Sequence, residues 1–117
     1  MKTLPRMSLQ SEVEQILEEL IRQEKFNAIA ILLYLRRVQG ALTQDLRRVV
    51  GRGSLANASY TRSILQFLEE RGLVKYVIVS RHKVWQLTEL GLRVAEEIEK
   101  RISLEEVPSG PLGKVVG

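Results

Sequence analysis

The pattern of apolar and polar positions divides the first third of the chain into two different helical segments. Between residues 9 and 24, apolar side chains recur at spacings of three and four with glutamates between them, which predicts an amphipathic helix. Residues 26–38 are apolar on every side from Ala28 to Leu35, which predicts a helix buried on most of its faces. Gly40 is expected to end this second helix as its C-terminal glycine.

Two further helices are expected in the middle of the chain, separated by a glycine-containing turn at residues 51–54. Thr43 is placed to cap the first of them, and Asn57 or Ser59 can cap the second. Gly72 is expected to end the second helix. The inward face of that helix is predicted to consist of Thr61, Ile64, Leu65 and Leu68.

Residues 74–87 predict a two-stranded hairpin, because β-branched and aromatic residues dominate both sides of a polar stretch at residues 80–83. The Asn-Gly pair that favours a tight hairpin turn is absent. Thr88 is expected to cap a last helix. The folded domain should therefore span residues 9–104, with residues 1–8 as a flexible arm and residues 105–117, which contain prolines and glycines, as a flexible tail.

Composition narrows the classes of function that the chain can support. Its 117 residues correspond to one globular domain, and it contains no cysteine and one histidine, His82. The absence of cysteine excludes disulfides, thiol chemistry and Cys-ligated metals. A single histidine is too few for a histidine-based metal site and leaves little basis for a catalytic triad. We therefore expect no metal, no cofactor and no enzyme activity. The longest apolar run, eight residues at 28–35, is far short of the roughly 20 that span a bilayer, so a cytoplasmic protein is expected.

The positive charge of the chain is concentrated in its middle third. The formal net charge is +4, but residues 41–87 hold eight basic and three acidic side chains, whereas residues 88–117 carry more acidic than basic ones. A basic block between neutral and acidic segments is typical of a surface that binds a polyanion. Nucleic acid is therefore the expected partner.

Three stretches in this order resemble the winged helix-turn-helix domain of transcription regulators of the MarR and PadR type. They are Leu42-Thr43-Gln44-Asp45-Leu46, the run from Ser59 to Val74, and Trp85-Gln86-Leu87-Thr88-Glu89-Leu90-Gly91. The resemblance implies a mainly α fold with a small β-hairpin and additional N- and C-terminal dimerisation helices. The hairpin departs from the MarR pattern, because it is short and lacks the Asp-x-Arg element that is usual there.

The resemblance also implies which residues bind DNA. The second helix of such a motif enters the major groove. There Arg62 can donate two hydrogen bonds to a guanine, and Gln66 can pair with an adenine. The preceding helix and the turn after it are suited to phosphate contacts, and the hairpin tip to an adjacent groove. The predicted DNA-binding residues are Arg47, Arg48, Arg52, Asn57, Ser59, Tyr60, Arg62, Ser63, Gln66, Arg81, His82 and Lys83.

The apolar stripes of the two outer helices are predicted to form a homodimer, which would double a small DNA interface. The predicted interface residues are Val13, Ile16, Leu17, Leu20, Val94, Ile98 and Ile102. An alternative is that the N-terminal helix folds back onto its own domain. The sequence thus predicts a prokaryotic, nucleoid-associated, dimeric DNA-binding regulator, with repression as the expected mode. The alternative function is a winged-helix protein-interaction module in a larger assembly, which would require an apolar recognition face.

Overall fold

The structure, a computed structural model, describes residues 9–50 and 57–109, with side chains for residues 10–50 and 58–103. The described residues form a mainly helical fold with a small antiparallel sheet, as the sequence predicts. The helices are α1 (Leu9–Arg22), α2 (Phe26–Val38), α3 (Thr43–Val50), α4 (Asn57–Glu70) and α5 (Glu89–Ser109). The strands are β1 (Ala41–Leu42), β2 (Val74–Val79) and β3 (His82–Leu87).

Helix α2 lies at the centre of the hydrophobic core, as its apolar sequence predicts. Its residues Ile31, Leu32 and Leu35 are buried, and every other helix contributes side chains to the same cluster. Leu46 of α3 and Leu68 of α4 are fully buried within it. The five helices of the described residues thus share one hydrophobic core.

Within the described residues the sheet has three strands, whereas the sequence predicts two. Strand β1 pairs with β3 through Ala41 opposite Trp85, giving the strand order β1-β3-β2. The indole Nε1 of Trp85 donates a 2.8 Å hydrogen bond to Thr43 Oγ1, so this hydroxyl links the start of α3 to strand β3. The expected cap of α3 is provided instead by Asp45, whose carboxylate accepts from the Leu42 N–H at 3.2 Å.

The ends of two other helices also differ from prediction. Gln39, not Gly40, takes the left-handed conformation after α2 (φ 67°), and its N–H donates to the Leu35 carbonyl. Helix α5 continues to Ser109, although the tail is predicted to begin at residue 105. The predicted arm at residues 1–8, the turn at 51–54 and the remainder of the tail lie outside the described residues. No helix in the described part of the chain is long and apolar enough to cross a membrane.

Helix α1 packs against its own domain, which corrects the predicted dimer interface. Five of the residues assigned to that interface are buried inside the protomer: Val13, Leu17, Leu20, Val94 and Ile98. A side chain that is buried in its own chain has no surface left for a partner. Within the predicted set, Ile102 is exposed and Ile16 is half-buried.

An ion pair fixes α1 to the end of α4. Arg71 donates to both carboxylate oxygens of Glu19, with Nη2–Oε2 at 2.6 Å and Nε–Oε1 at 3.1 Å, and its guanidinium lies 4.1 Å from the ring centre of Phe67. The hydrogen bond from Arg71 holds the pKa of Glu19 below its ordinary value of 4.5. A carboxylate with a lowered pKa in the folded state stabilises the fold above its ordinary pKa, and this contribution is lost as the pH falls through the folded value. Arg71 thus has a structural role, although it is one of the eight basic residues at positions 41–87 that predict a polyanion-binding surface.

Candidate nucleic-acid interface

Helix α4 has the orientation that a recognition helix requires. Thr61, Ile64, Leu65 and Leu68 are all buried, as their spacing predicts. This orientation turns the opposite face of the helix towards solvent. The predicted reading residues on that face are all exposed: Ser59, Arg62, Ser63 and Gln66.

A concavity of about 330 Å³ lies where α3, the first turns of α4 and the start of β3 meet. Arg47, Arg62 and Lys83 contribute one side chain from each of these elements, so three cations that are distant in sequence converge on one surface. The complete lining is Leu42, Thr43, Gln44, Arg47, Ala58, Arg62, His82 and Lys83. Three converging cations suit a polyanion better than an uncharged ligand.

Contacts within α4 distinguish the predicted reading residues from one another. Ser63 Oγ donates to the Tyr60 carbonyl at 2.7 Å, and Gln66 Nε2 donates to Glu70 at 3.3 Å. The hydroxyl of Tyr60 accepts from Asn27 Nδ2 at 3.1 Å, which ties the exposed tyrosine to the start of α2. Arg62 makes no hydrogen bond or ion pair within the described residues. Its guanidinium donors are therefore available to a ligand on this face.

Arg47 and Arg48 are both predicted to bind DNA, but they lie in different surroundings in the structure. Arg47 lines the concavity, whereas Arg48 does not. Arg48 is exposed and lies 3.7 Å from Asp45 on its own helix. Arg52 and the side chain of Asn57, which are also predicted to bind DNA, lie outside the described residues.

Sequence reasoning missed Gln44 as a member of this surface. Gln44 is exposed, lines the concavity and precedes Arg47 by three positions on α3. Residues three apart share one face of a helix. This spacing is the signal that could have identified Gln44.

The hairpin tip is a two-residue turn whose conformation is unfavourable for the residue types that occupy it. Ser80 and Arg81 both have positive φ angles, 51° and 70°, and His82 is already the first residue of β3. Lys83 lies over the rings of Tyr76 at 4.3 Å and Trp85 at 5.4 Å, so its ammonium is held beside the concavity. Because left-handed Ser and Arg are costly, the turn stores strain where the wing is exposed.

Replacing the turn by the favoured pair, Ser80→Asn with Arg81→Gly, is expected to stabilise the protein by about 1–2 kcal/mol. Glycine and asparagine adopt left-handed conformations at lower cost than arginine and serine do. Urea unfolding followed by circular dichroism measures the gain, and Ser80→Asn alone should give only part of it. A less stable double variant would mean that the turn is not strained.

No protein-family model and no curated protein sequence matches this chain. Its structure is similar to that of ZitR from Lactococcus lactis in an apo form, with a TM-score of 0.65 and 23% identity over 92% of this chain and 83% of that one. It is also similar to the MarR family transcriptional regulator SPO1453 from Silicibacter pomeroyi, with a TM-score of 0.62 and 21% identity over 83% and 68% of the two chains.

A third similar structure is that of TubR bound to 24 bp of tubC from Bacillus thuringiensis serovar israelensis. It has a TM-score of 0.59 and 15% identity over 86% of this chain and 99% of that one. These likenesses, together with the strand order and the orientation of α4, define the fold as a winged helix-turn-helix. SPO1453, a MarR family transcriptional regulator, has the same fold.

Proposed function

We propose that the protein is a sequence-specific, double-stranded DNA-binding transcription regulator that acts as a homodimer. The observation that carries this proposal is the convergence of Arg47, Arg62 and Lys83 on one concavity beside the exposed face of α4. The DNA-bound state of the structurally similar TubR supports it. The alternative, a protein-interaction module, requires an apolar recognition face, but the face of α4 presents exposed polar residues.

The geometry suggests how each element contacts DNA. The first turns of α4 enter the major groove, where the guanidinium of Arg62 can donate two hydrogen bonds to one guanine. Gln44 and Arg47, which line the concavity from α3, would contact the phosphates that border this groove. Arg81 at the hairpin tip would reach the neighbouring groove. A bound dimer would occlude promoter DNA in the cytoplasm, so repression is the mode that we propose.

Binding should depend steeply on salt. If the cations of a dimer neutralise about six phosphates, log K is expected to fall with log salt at a slope near −5, because bound counterions are released. Fluorescence anisotropy with a labelled duplex measures this slope. Arg93→Ala on α5, whose side chain pairs with Glu89 away from the concavity, is the control and should leave it unchanged. A slope of zero, or no binding at low salt, contradicts the proposal.

The proposed dimer uses the outer faces of α1 and α5. Ile21 and Ile102 remain 47% and 42% exposed there, and Arg101 of α5 lies 3.9 Å from Glu14 of α1. Ile102→Asp is expected to give a folded monomer, whereas Val13→Asp should unfold the chain because Val13 is buried. Sedimentation at roughly tens of micromolar tests this association. A wild-type monomer at that concentration would exclude the dimer.

A further inference from the structure

The outer strand of the wing carries a run of exposed apolar side chains that DNA recognition does not explain. Beyond the buried Val74, Tyr76 is 37%, Val77 44%, Ile78 60% and Val79 53% exposed. Successive side chains of a strand point to opposite faces, so β2 presents exposed apolar side chains on both faces of the sheet. An antiparallel sheet that has one solvated face normally places polar residues there. An exposed apolar run of this kind marks an interaction surface.

The main chain of β2 is also open to a partner. The strand order β1-β3-β2 places β2 at the edge of the sheet, where its only strand partner among the described residues is β3. Natural proteins protect such edges with prolines, bulges, charges or very short strands. Strand β2 spans six residues and has one charged side chain, Lys75, near its buried end. A second strand can therefore extend the sheet at this edge.

We propose that β2 pairs antiparallel with β2 of a second copy of this chain, centred on Val77. In a two-fold antiparallel pair, residues that face each other lie on the same side of the sheet, so the centre must be a single residue that faces itself. A pair centred on Ile78 sets Lys75 opposite Arg81, which is destabilising. A pair centred on Val77 sets Lys75 opposite Val79 and places no like charges opposite each other.

This contact is weak in free solution and effective on DNA. Two short strands bury much less than the roughly 1,600 Å² of a standard stable interface. Two copies that are bound to neighbouring sites on one duplex experience a millimolar effective concentration of each other, which favours weak contacts. The pairing would therefore couple adjacent bound copies through their wings. This consequence rests on the proposed DNA binding, whereas the pairing itself does not.

Because the chain contains no cysteine, single cysteines can test the pairing directly. Val77→Cys is expected to give a disulfide-linked dimer under mild oxidation, since facing residues of an antiparallel pair lie within disulfide reach. Val79→Cys is the control: Val79 is more exposed than Val77, 53% against 44%, but its two copies would lie about 13 Å apart. Mixing Val79→Cys with Lys75→Cys should restore the cross-link. The proposal is overturned if Val79→Cys cross-links as readily as Val77→Cys, or if neither does.

A second experiment tests whether copies bound to adjacent DNA sites are coupled. The binding site for it is obtained by selecting bound sequences from a pool of random duplexes. Val77→Thr keeps the β-branched shape and removes apolar character. We expect it to leave affinity for one site unchanged and to abolish a cooperativity of about tenfold between two adjacent sites. If affinity for one site falls as well, β2 contacts DNA and not a second copy. If the wild type binds no DNA at all, the proposed function fails, and the cross-linking result still decides whether β2 strands pair.

Discussion

Gly91→Ala is expected to destabilise the fold by about 3 kcal/mol, the upper end of the cost of overpacking a well-packed site. A Cβ at position 91 would overlap the carbonyl oxygen of Leu73 and lie 2.9 Å from the carbonyl carbon of that residue. The atoms that it meets are backbone, so no side chain can move aside. The same oxygen accepts a 3.1 Å hydrogen bond from the Thr88 N–H, and Leu73 itself is fully buried. Relief of the clash would therefore break the junction between α4, the wing and α5.

Urea unfolding of the variant measures this cost, and two controls separate steric overlap from other causes. Leu92→Ala, at an exposed neighbouring position of the same helix, should change stability much less. Gly72→Ala meets nothing within 4 Å but must hold a φ of 74°, so about 1 kcal/mol is expected from backbone strain alone. If Gly91→Ala is no more destabilising than Leu92→Ala, the close approach of residue 91 to Leu73 does not contribute to the free energy of unfolding.

Features of the fold that depend on local pattern were predictable, and those that depend on distant contacts were not. The inward face of α4 follows from the three-and-four spacing of Ile64, Leu65 and Leu68, and the hairpin follows from the residue types that flank positions 80–83. Strand β1 has two residues, too few for any periodicity, and exists because Trp85 lies opposite Ala41. The left-handed position at Gln39 likewise has no signal in the residue type.

The packing of α1 illustrates why an apolar stripe alone does not identify a subunit interface. A stripe that contains Val13, Leu17 and Leu20 suits a partner helix and a domain core equally well. The structure places it in the core, beside α5 and held by the Glu19–Arg71 pair. Because these two residues are 52 positions apart in sequence, no local pattern predicts the pair, and the sequence counts Arg71 as available positive charge.

The positions of side chains on the candidate DNA surface follow from the sequence where residues share one helix face, and they do not where the tertiary structure selects among neighbours. Arg62, His82 and Lys83, three of the residues predicted to bind DNA, line the concavity. Arg47 and Arg48 are adjacent in sequence, but a step of one residue rotates a helix position by about 100°. Arg47 consequently faces the concavity, while Arg48 lies beside Asp45. The sequence supplies the cations, and the packing of α3 decides which of them converge.

Arg62→Ala is expected to weaken binding to a specific site by about 1–3 kcal/mol per half-site and to relax the preference at one base position. Arg62 is exposed on the reading face, lines the concavity and makes no ion pair within the described residues, so its donors are available to a base. Arg47→Ala should instead weaken all sequences alike and reduce the salt slope by about one unit for each phosphate that is no longer neutralised. Arg48→Ala, which removes a cation outside the concavity, is the matched control and should change binding least.

Anisotropy titrations of the three variants with specific and scrambled duplexes, each at two salt concentrations, distinguish base reading from charge. A base contact lowers the ratio of specific to scrambled affinity when it is removed, because only the specific duplex presents the guanine. Removal of a phosphate contact lowers both affinities and leaves their ratio unchanged. If Arg62→Ala weakens both duplexes equally, Arg62 contacts phosphate. Sequence preference must then come from Ser59, Ser63 or Gln66, which share the exposed face of α4, or from the shape of the DNA.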